Sequence, residues 1–350
     1  MRGAASAWRG RKRVLLLLSP LALLGLLELV SRLYWTFFHG VGFLRPDLYL
    51  AFYPELRPFE KWPVRNDDEA FDILVLGPSV LHPSWGFVQE FLYEELTYRT
   101  KRTVWIHNLS QGGHTSLDSL LKYRRLGDQR FDLVVFYQGI NETRANNCPP
   151  SVFRSDFTHY SWYAQLKSLE RHPESRWFTL PYTSSYVLCE AGEKLGLRTV
   201  LPRDLPRGDW VRYGSDVKSA GPFRENLTEI LDLARGRGEP VLLMTFAYYI
   251  PEDYEVGKFY RKELDYTRHG SPVELWGSPA NVAAGIEAHN AVVRELSERY
   301  GTHFVDQEMR IPKKGEFFND VCHFTYKGCD RFVQGMAEVI VPLAAGSPGR

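Results

Sequence analysis

Five short apolar runs, each bounded by turn residues and followed by a stretch of helical periodicity, constrain this 350-residue chain more than any other feature. They read "FDILVLG" (71–77), "RTVWIHNLS" (102–110), "FDLVVFYQG" (131–139), "PVLLMTFAY" (240–248) and "THFVDQ" (302–307). Each is too short for an ordinary helix and rich in β-branched residues, so each is read as a strand. Helical patterns occupy 86–99, 116–126, 224–236, 279–300 and 326–342. Strands alternating with helices predict an α/β domain: five parallel strands with helices on both faces. A chain that is 44% hydrophobic can bury a core of that size. With 43 basic and 42 acidic residues it carries no net field to attract nucleic acid, and that class is set aside.

The N-terminus is a second constraint. Arg2, Arg9, Arg11, Lys12 and Arg13 precede an apolar run from Val14 to Val30 that only Glu28 interrupts. This is an export or membrane segment, and without a small-x-small cleavage site behind it the expectation is an uncleaved signal anchor over 1–35. The basic flank places the N-terminus in the cytoplasm and the remainder outside, with Tyr34, Trp35, Phe37 and Phe38 at the far interface. Residues 36–70 read as a membrane-proximal linker, and 71–345 as the main domain. Within that domain 144–222 has many Trp, Tyr and Pro residues and no repeat, which suggests an inserted lid or subdomain. Cys148, Cys189, Cys322 and Cys329 match no zinc spacing; Cys322 with Cys329 and Cys148 with Cys189 are possible disulfides, and four buried thiols are the other reading.

Ligands of open parallel sheets bind beyond the carboxyl ends of the strands. The first three strands end in "LGPSVLHPSWG", "NLSQGGHTS" and "YQGINET". Ser79 follows the first, as a nucleophile or as a cap for the helix after it. Gly112 and Gly113 follow the second, where backbone can approach a ligand closely or simply turn. Asn141 follows the third, as an oxyanion donor or a turn residue. A serine nucleophile needs a base and the base a carboxylate, and "NDVCH" puts Asp320 three residues before His323, just ahead of the last helix.

Taken together, these four pieces resemble the SGNH (GDSL-like) hydrolase superfamily over about 71–342. Its blocks appear as Gly77-Pro78-Ser79, "NLSQGGHTS" with the family's glycine at Gly113, Gly139-Ile140-Asn141-Glu142, and Asp320-Val321-Cys322-His323. The resemblance implies a flavodoxin-like three-layer α/β/α domain with Ser79, His323 and Asp320 as catalytic triad. Ser79, Gly113 and Asn141 would form the oxyanion hole, and no metal or organic cofactor is called for. It implies an esterase acting on acyl or O-acetyl groups of envelope glycans or lipids, in a bacterial periplasm, with an O-acyltransferase as the alternative. Pro78 and Glu142 depart from the usual residues, and with the unmatched 144–222 segment they support a third reading, a non-catalytic binding module of an envelope assembly. His82, His114, Trp85, Trp162 and Tyr163 are candidate substrate contacts or ordinary loop and core residues. The sequons at Asn108, Asn141 and Asn226 matter only in a secretory pathway, where Asn226 is the one expected to be exposed.

Overall fold

The computed structural model describes residues 2–64, 70–201 and 208–346, with side chains from residue 19 onward. The charges of the basic flank, Arg2 to Arg13, therefore lie outside the described residues. Five strands form, β1 (Phe71–Leu76), β2 (Val104–Asn108), β3 (Leu133–Tyr137), β4 (Val241–Met244) and β5 (His303–Val305). The main helices are α1 (Arg2–His39), α2 (Val88–Thr100), α3 (Ser116–Arg125), α4 (Ile140–Ala145), α5 (Ser161–Glu170), α6 (Leu180–Lys194), α7 (Ala220–Arg237), α8 (Pro279–Tyr300) and α9 (Tyr326–Gly346). The chain divides into two compact units, residues 1–57 with 161–200, and 58–160 with 201–350.

The larger unit holds the sheet. All four pairings are parallel and the order is β2-β1-β3-β4-β5. Every residue of β1, β3 and β4 is buried, as expected of parallel strands covered on both faces, whereas β2 lies at an edge and leaves Trp105 exposed. Helices α2 and α9 pack together, as do α3, α7 and α8, and these groups form the outer layers of an α/β/α sandwich. The chain leaves β1 toward β2 on one side and returns for β3 on the other, so the order reverses at β1. Such a reversal opens a crevice at the carboxyl ends of β1 and β3. Pairing persists past the strand ends there: Leu109 N–H donates to Val75 O (2.9 Å) and Gln111 N–H to Gly77 O (3.2 Å), so the glycine loop after β2 runs beside the Ser79 turn after β1.

The smaller unit gives the apolar leader a partner. Residues 19–39 of α1 contain an 18-residue window with a mean hydropathy of 1.4 and are long and apolar enough to cross a membrane, a test a signal sequence also passes. Glu28, Ser31, Arg32 and Trp35 recur at helical spacing and make a polar stripe. The Glu28 carboxylate accepts the N–H groups of Thr179 (2.9 Å) and Leu180 (2.8 Å), capping the start of α6, where such groups have no intrahelical acceptor, and Arg32 Nε donates to it at 2.7 Å. Ser31 bonds Thr179 and Thr183 through their hydroxyls, and Trp35 Nε1–H donates to Thr183 Oγ1 at 2.7 Å. Trp35, read as an interface anchor, is instead buried against Tyr182 and Tyr186 because its indole N–H has a partner there; Phe37 and Phe38 remain exposed.

Helix α1 continues to His39, past residue 36 where the linker was expected to start. The 144–222 segment is substantially helical, and Trp162 and Tyr163 belong to the core of the smaller unit, Trp162 edge-on to Phe52 at 5.0 Å and Tyr163 buried. All four cysteines are free thiols.

Candidate active site

Ser79 sits 6% exposed at the head of a single 3-10 turn, Ser79–Leu81, rather than at the start of the long helix, which begins nine residues later at Val88. It caps nothing. Its Oγ lies 2.9 Å from His323 Nε2. On the other side of the ring, His323 Nδ1 is 3.0 Å and 2.9 Å from the two oxygens of Asp320. An ionised carboxylate only accepts, so Nδ1 carries the proton, Nε2 is the acceptor, and the Ser79 hydroxyl donates to it.

The local turn holds this arrangement. Asp320 Oδ1 accepts the backbone N–H groups of Cys322 (3.0 Å) and His323 (2.9 Å), and Oδ2 accepts that of Ser271 (2.9 Å). Burial works to raise the Asp320 carboxyl, and the electrostatic pull of the His323 N–H groups with the Cys322 N–H outweighs it, leaving the group below its ordinary range. The Ser271 contact was not foreseen. It needs Gly270, where a Cβ would lie 2.6 Å from Asp320 Oδ2.

Trp85 stacks on the imidazole, with ring centroids 4.5 Å apart and planes 18° from parallel. Its indole nitrogen also neighbours Gly112, where a Cβ would sit 3.9 Å away. Gly113 adopts φ +74°, a left-handed conformation that glycine meets without strain.

Asn141 opens α4. Its Nδ2 donates to His114 O (2.8 Å) and its Oδ1 accepts from Trp276 Nε1 (2.9 Å), so the amide is fixed against the glycine loop with the second Nδ2 proton unassigned. At 6% exposure Asn141 has no room for a glycan. Asn108 spends its amide on Leu81 O and Gln89, and Asn226 is half-buried with its amide on Ser116 Oγ, contrary to the exposure expected of it.

A buried polar layer behind the glycine loop went unread in the sequence. Lys122 Nζ reaches Leu109 O and His114 Nδ1 (3.0 Å), the Asp118 carboxylate accepts Thr115 N–H (2.8 Å), and Glu142 accepts Ser116 N–H. His114 is thus part of the scaffold, and His82 accepts Ser84 N–H within its own loop. Burial pushes the Glu142 carboxyl from its ordinary 4.5 up to about 7, the Ser116 N–H opposing, and Glu142 Oε2 has no partner among the described residues. A raised carboxyl favours the protonated fold, so stability falls as pH rises from about 4.5 to 7. Glu142→Gln is expected to flatten the melting temperature over that interval and to stabilise the protein above it by up to about 3 kcal/mol, checked by thermal melts across pH.

Asp320, Cys322 and His323 also offer three potential metal-ligand atoms within 4.8 Å of one another. They do not fit a metal well. The Asp–His contact uses the Nδ1 proton a metal would displace, and burial and then Asp320 push the Cys322 thiol well up, whereas a metal takes the thiolate.

No protein-family model matches the chain, and no curated protein matches it. Among solved structures it is similar to a variant of an acetyl xylan esterase from Geobacillus stearothermophilus (12% identity, 82% of this chain and 100% of that chain, TM-score 0.43). It is also similar to a lipase/acylhydrolase from Enterococcus faecalis (15%, 80% and 98%, 0.41) and to an α/β hydrolase from the Lake Arreo metagenome (13%, 81% and 97%, 0.42). Likeness at this level carries no activity across, and the chemistry rests on the side chains above.

Proposed function

We propose that the chain is a serine esterase of the SGNH type, with Ser79 as nucleophile, His323 as general base and Asp320 as its orienting carboxylate. The observation that carries this reading is the continuous relay from Ser79 Oγ through His323 to Asp320, at 2.9 Å on each side of the ring. His323 takes the Ser79 proton as the oxygen attacks an ester carbonyl, and Asp320 stabilises the imidazolium that forms.

The developing oxyanion is met by the N–H groups of Ser79 and Gly113 and the second amide proton of Asn141. The N–H of Ser79 survives Pro78 and heads its turn, where a first N–H has no acceptor within the turn. His323 then returns the proton to the leaving alcohol, and water resolves the acyl-enzyme by the same path reversed. The apolar helix over 19–39 supports a membrane anchor. From the basic residues before it we propose that the N-terminus stays in the cytoplasm and the enzyme works in the periplasm, on acyl groups of envelope glycans.

The test is acetate release from a short-chain aryl acetate by the full chain, with an unacetylated oligosaccharide acceptor present or absent. Free acetate in step with loss of ester, unchanged by the acceptor, is the expected result. Acetyl transfer to the acceptor would make it a transferase, and an inert ester would overturn the reading.

A further inference from the structure

Beside the triad lies a cavity of about 540 Å³ that the mechanism does not use. Trp85, Phe87, Arg268, Asn319, Tyr326 and Lys327 line it. Trp85 joins it to the reacting centre, since the ring that forms this wall is stacked on His323, and Asn319 directly precedes Asp320. A group bound there lies one side chain from the base.

Its walls specify a ligand. Trp85 and Phe87 are each 48% exposed and Tyr326 is 66% exposed, three large aromatic residues left facing water around one space. They are held rather than loose: Phe91 meets Tyr326 edge-on at 4.5 Å, and Phe87 lies 5.7 Å from the same ring. Aromatic faces of this kind take the C–H face of a sugar ring.

The polar groups are unevenly satisfied. Lys327 is paired at 2.5 Å with Glu316, which also lines the cavity, so that pair adds no net charge, whereas the exposed Arg268 has no hydrogen-bond or ion-pair partner among the described residues. Asn319 Nδ2 donates to Phe324 O (2.6 Å), and its Oδ1 is enclosed beyond a ligand's reach, with no partner among the described residues. An acyl chain or a neutral sugar would leave the Arg268 guanidinium without a counter-charge. A sugar ring that carries a carboxylate answers both the aromatic faces and Arg268.

We infer that this cavity is the subsite for the alcohol portion of the ester, and that the alcohol is an acidic saccharide whose carboxylate pairs with Arg268. The assignment rests on the esterase reading for its link to turnover, while the binding it requires stands apart from chemistry. Arg268 is a specificity residue here. It does not touch the reacting atoms.

Trigalacturonic acid, and the same trisaccharide with its carboxylates reduced to hydroxymethyl groups, would be titrated into the full chain by following tryptophan fluorescence. The acid is expected to bind about tenfold tighter or more, the usual size of a charge-assisted hydrogen bond. Arg268→Gln should abolish that difference, Arg268→Lys should retain part of it, and Tyr326→Ala should weaken both ligands. Aryl acetate turnover should be unchanged in Arg268→Gln. Equal binding of the two trisaccharides by the unaltered chain, or a preference that survives Arg268→Gln, would overturn the subsite. Charge-selective binding without ester turnover would overturn the esterase reading and leave the subsite standing.

Discussion

Replacing His323 by Ala is expected to lower aryl acetate turnover by about 10⁶-fold, close to the residual rate that binding and oxyanion contacts alone sustain. The size follows from the geometry. Ser79 donates its only hydroxyl proton to Nε2 at 2.9 Å, and without that acceptor the hydroxyl is a poor nucleophile. Asp320→Asn should cost less, about 10⁴-fold, because the ring stays but its tautomer is no longer imposed. The carboxylate also ties the His323 turn together through three backbone N–H groups. Its depressed value means that Asp320 contributes stability above its unfolded pKa near 3.8, and that this contribution is lost as pH falls below that range. Steady-state kinetics with far-UV circular dichroism would separate loss of chemistry from loss of fold.

Asn141→Ala is the second large effect. Removing one preorganised oxyanion donor costs about 10²–10³ in turnover with little change in KM, because the donor acts where charge develops. Asn141 is fixed for this by Trp276 on its oxygen and His114 O on one amide proton. A mutant whose KM rises while kcat holds would assign Asn141 to substrate binding instead.

Much of this site could be read from the chain because its parts are local. Asp320 and His323 meet within one turn, and the all-buried runs 71–76 and 133–137 place Ser79 and Asn141 just beyond the sheet ends. What could not be read depends on partners distant in sequence. Glu28 looked like a flaw in an apolar run until α6, some 150 residues away, supplied N–H groups for it to cap. Lys122 lies in an amphipathic helix where a lysine is normally solvated, and it is buried because Leu109 O and His114 receive its ammonium. Trp162 and Tyr163 showed no helical repeat to read, and the aromatic residues that Trp162 meets, Phe52 and Tyr53, come from far upstream. Gly270 and Trp85 carry no motif. Their importance lies in a close approach to Asp320 and in a stacked ring.

The central claim is that Ser79 is the nucleophile, and covalent labelling tests it most directly. The full chain would be treated with a fluorophosphonate, digested, and the adduct located by mass spectrometry, beside Ser79→Ala. One adduct is expected, on Ser79, absent from Ser79→Ala with the fold unchanged. Labelling that persists in that mutant, or an adduct on another residue of the unaltered chain, would contradict it.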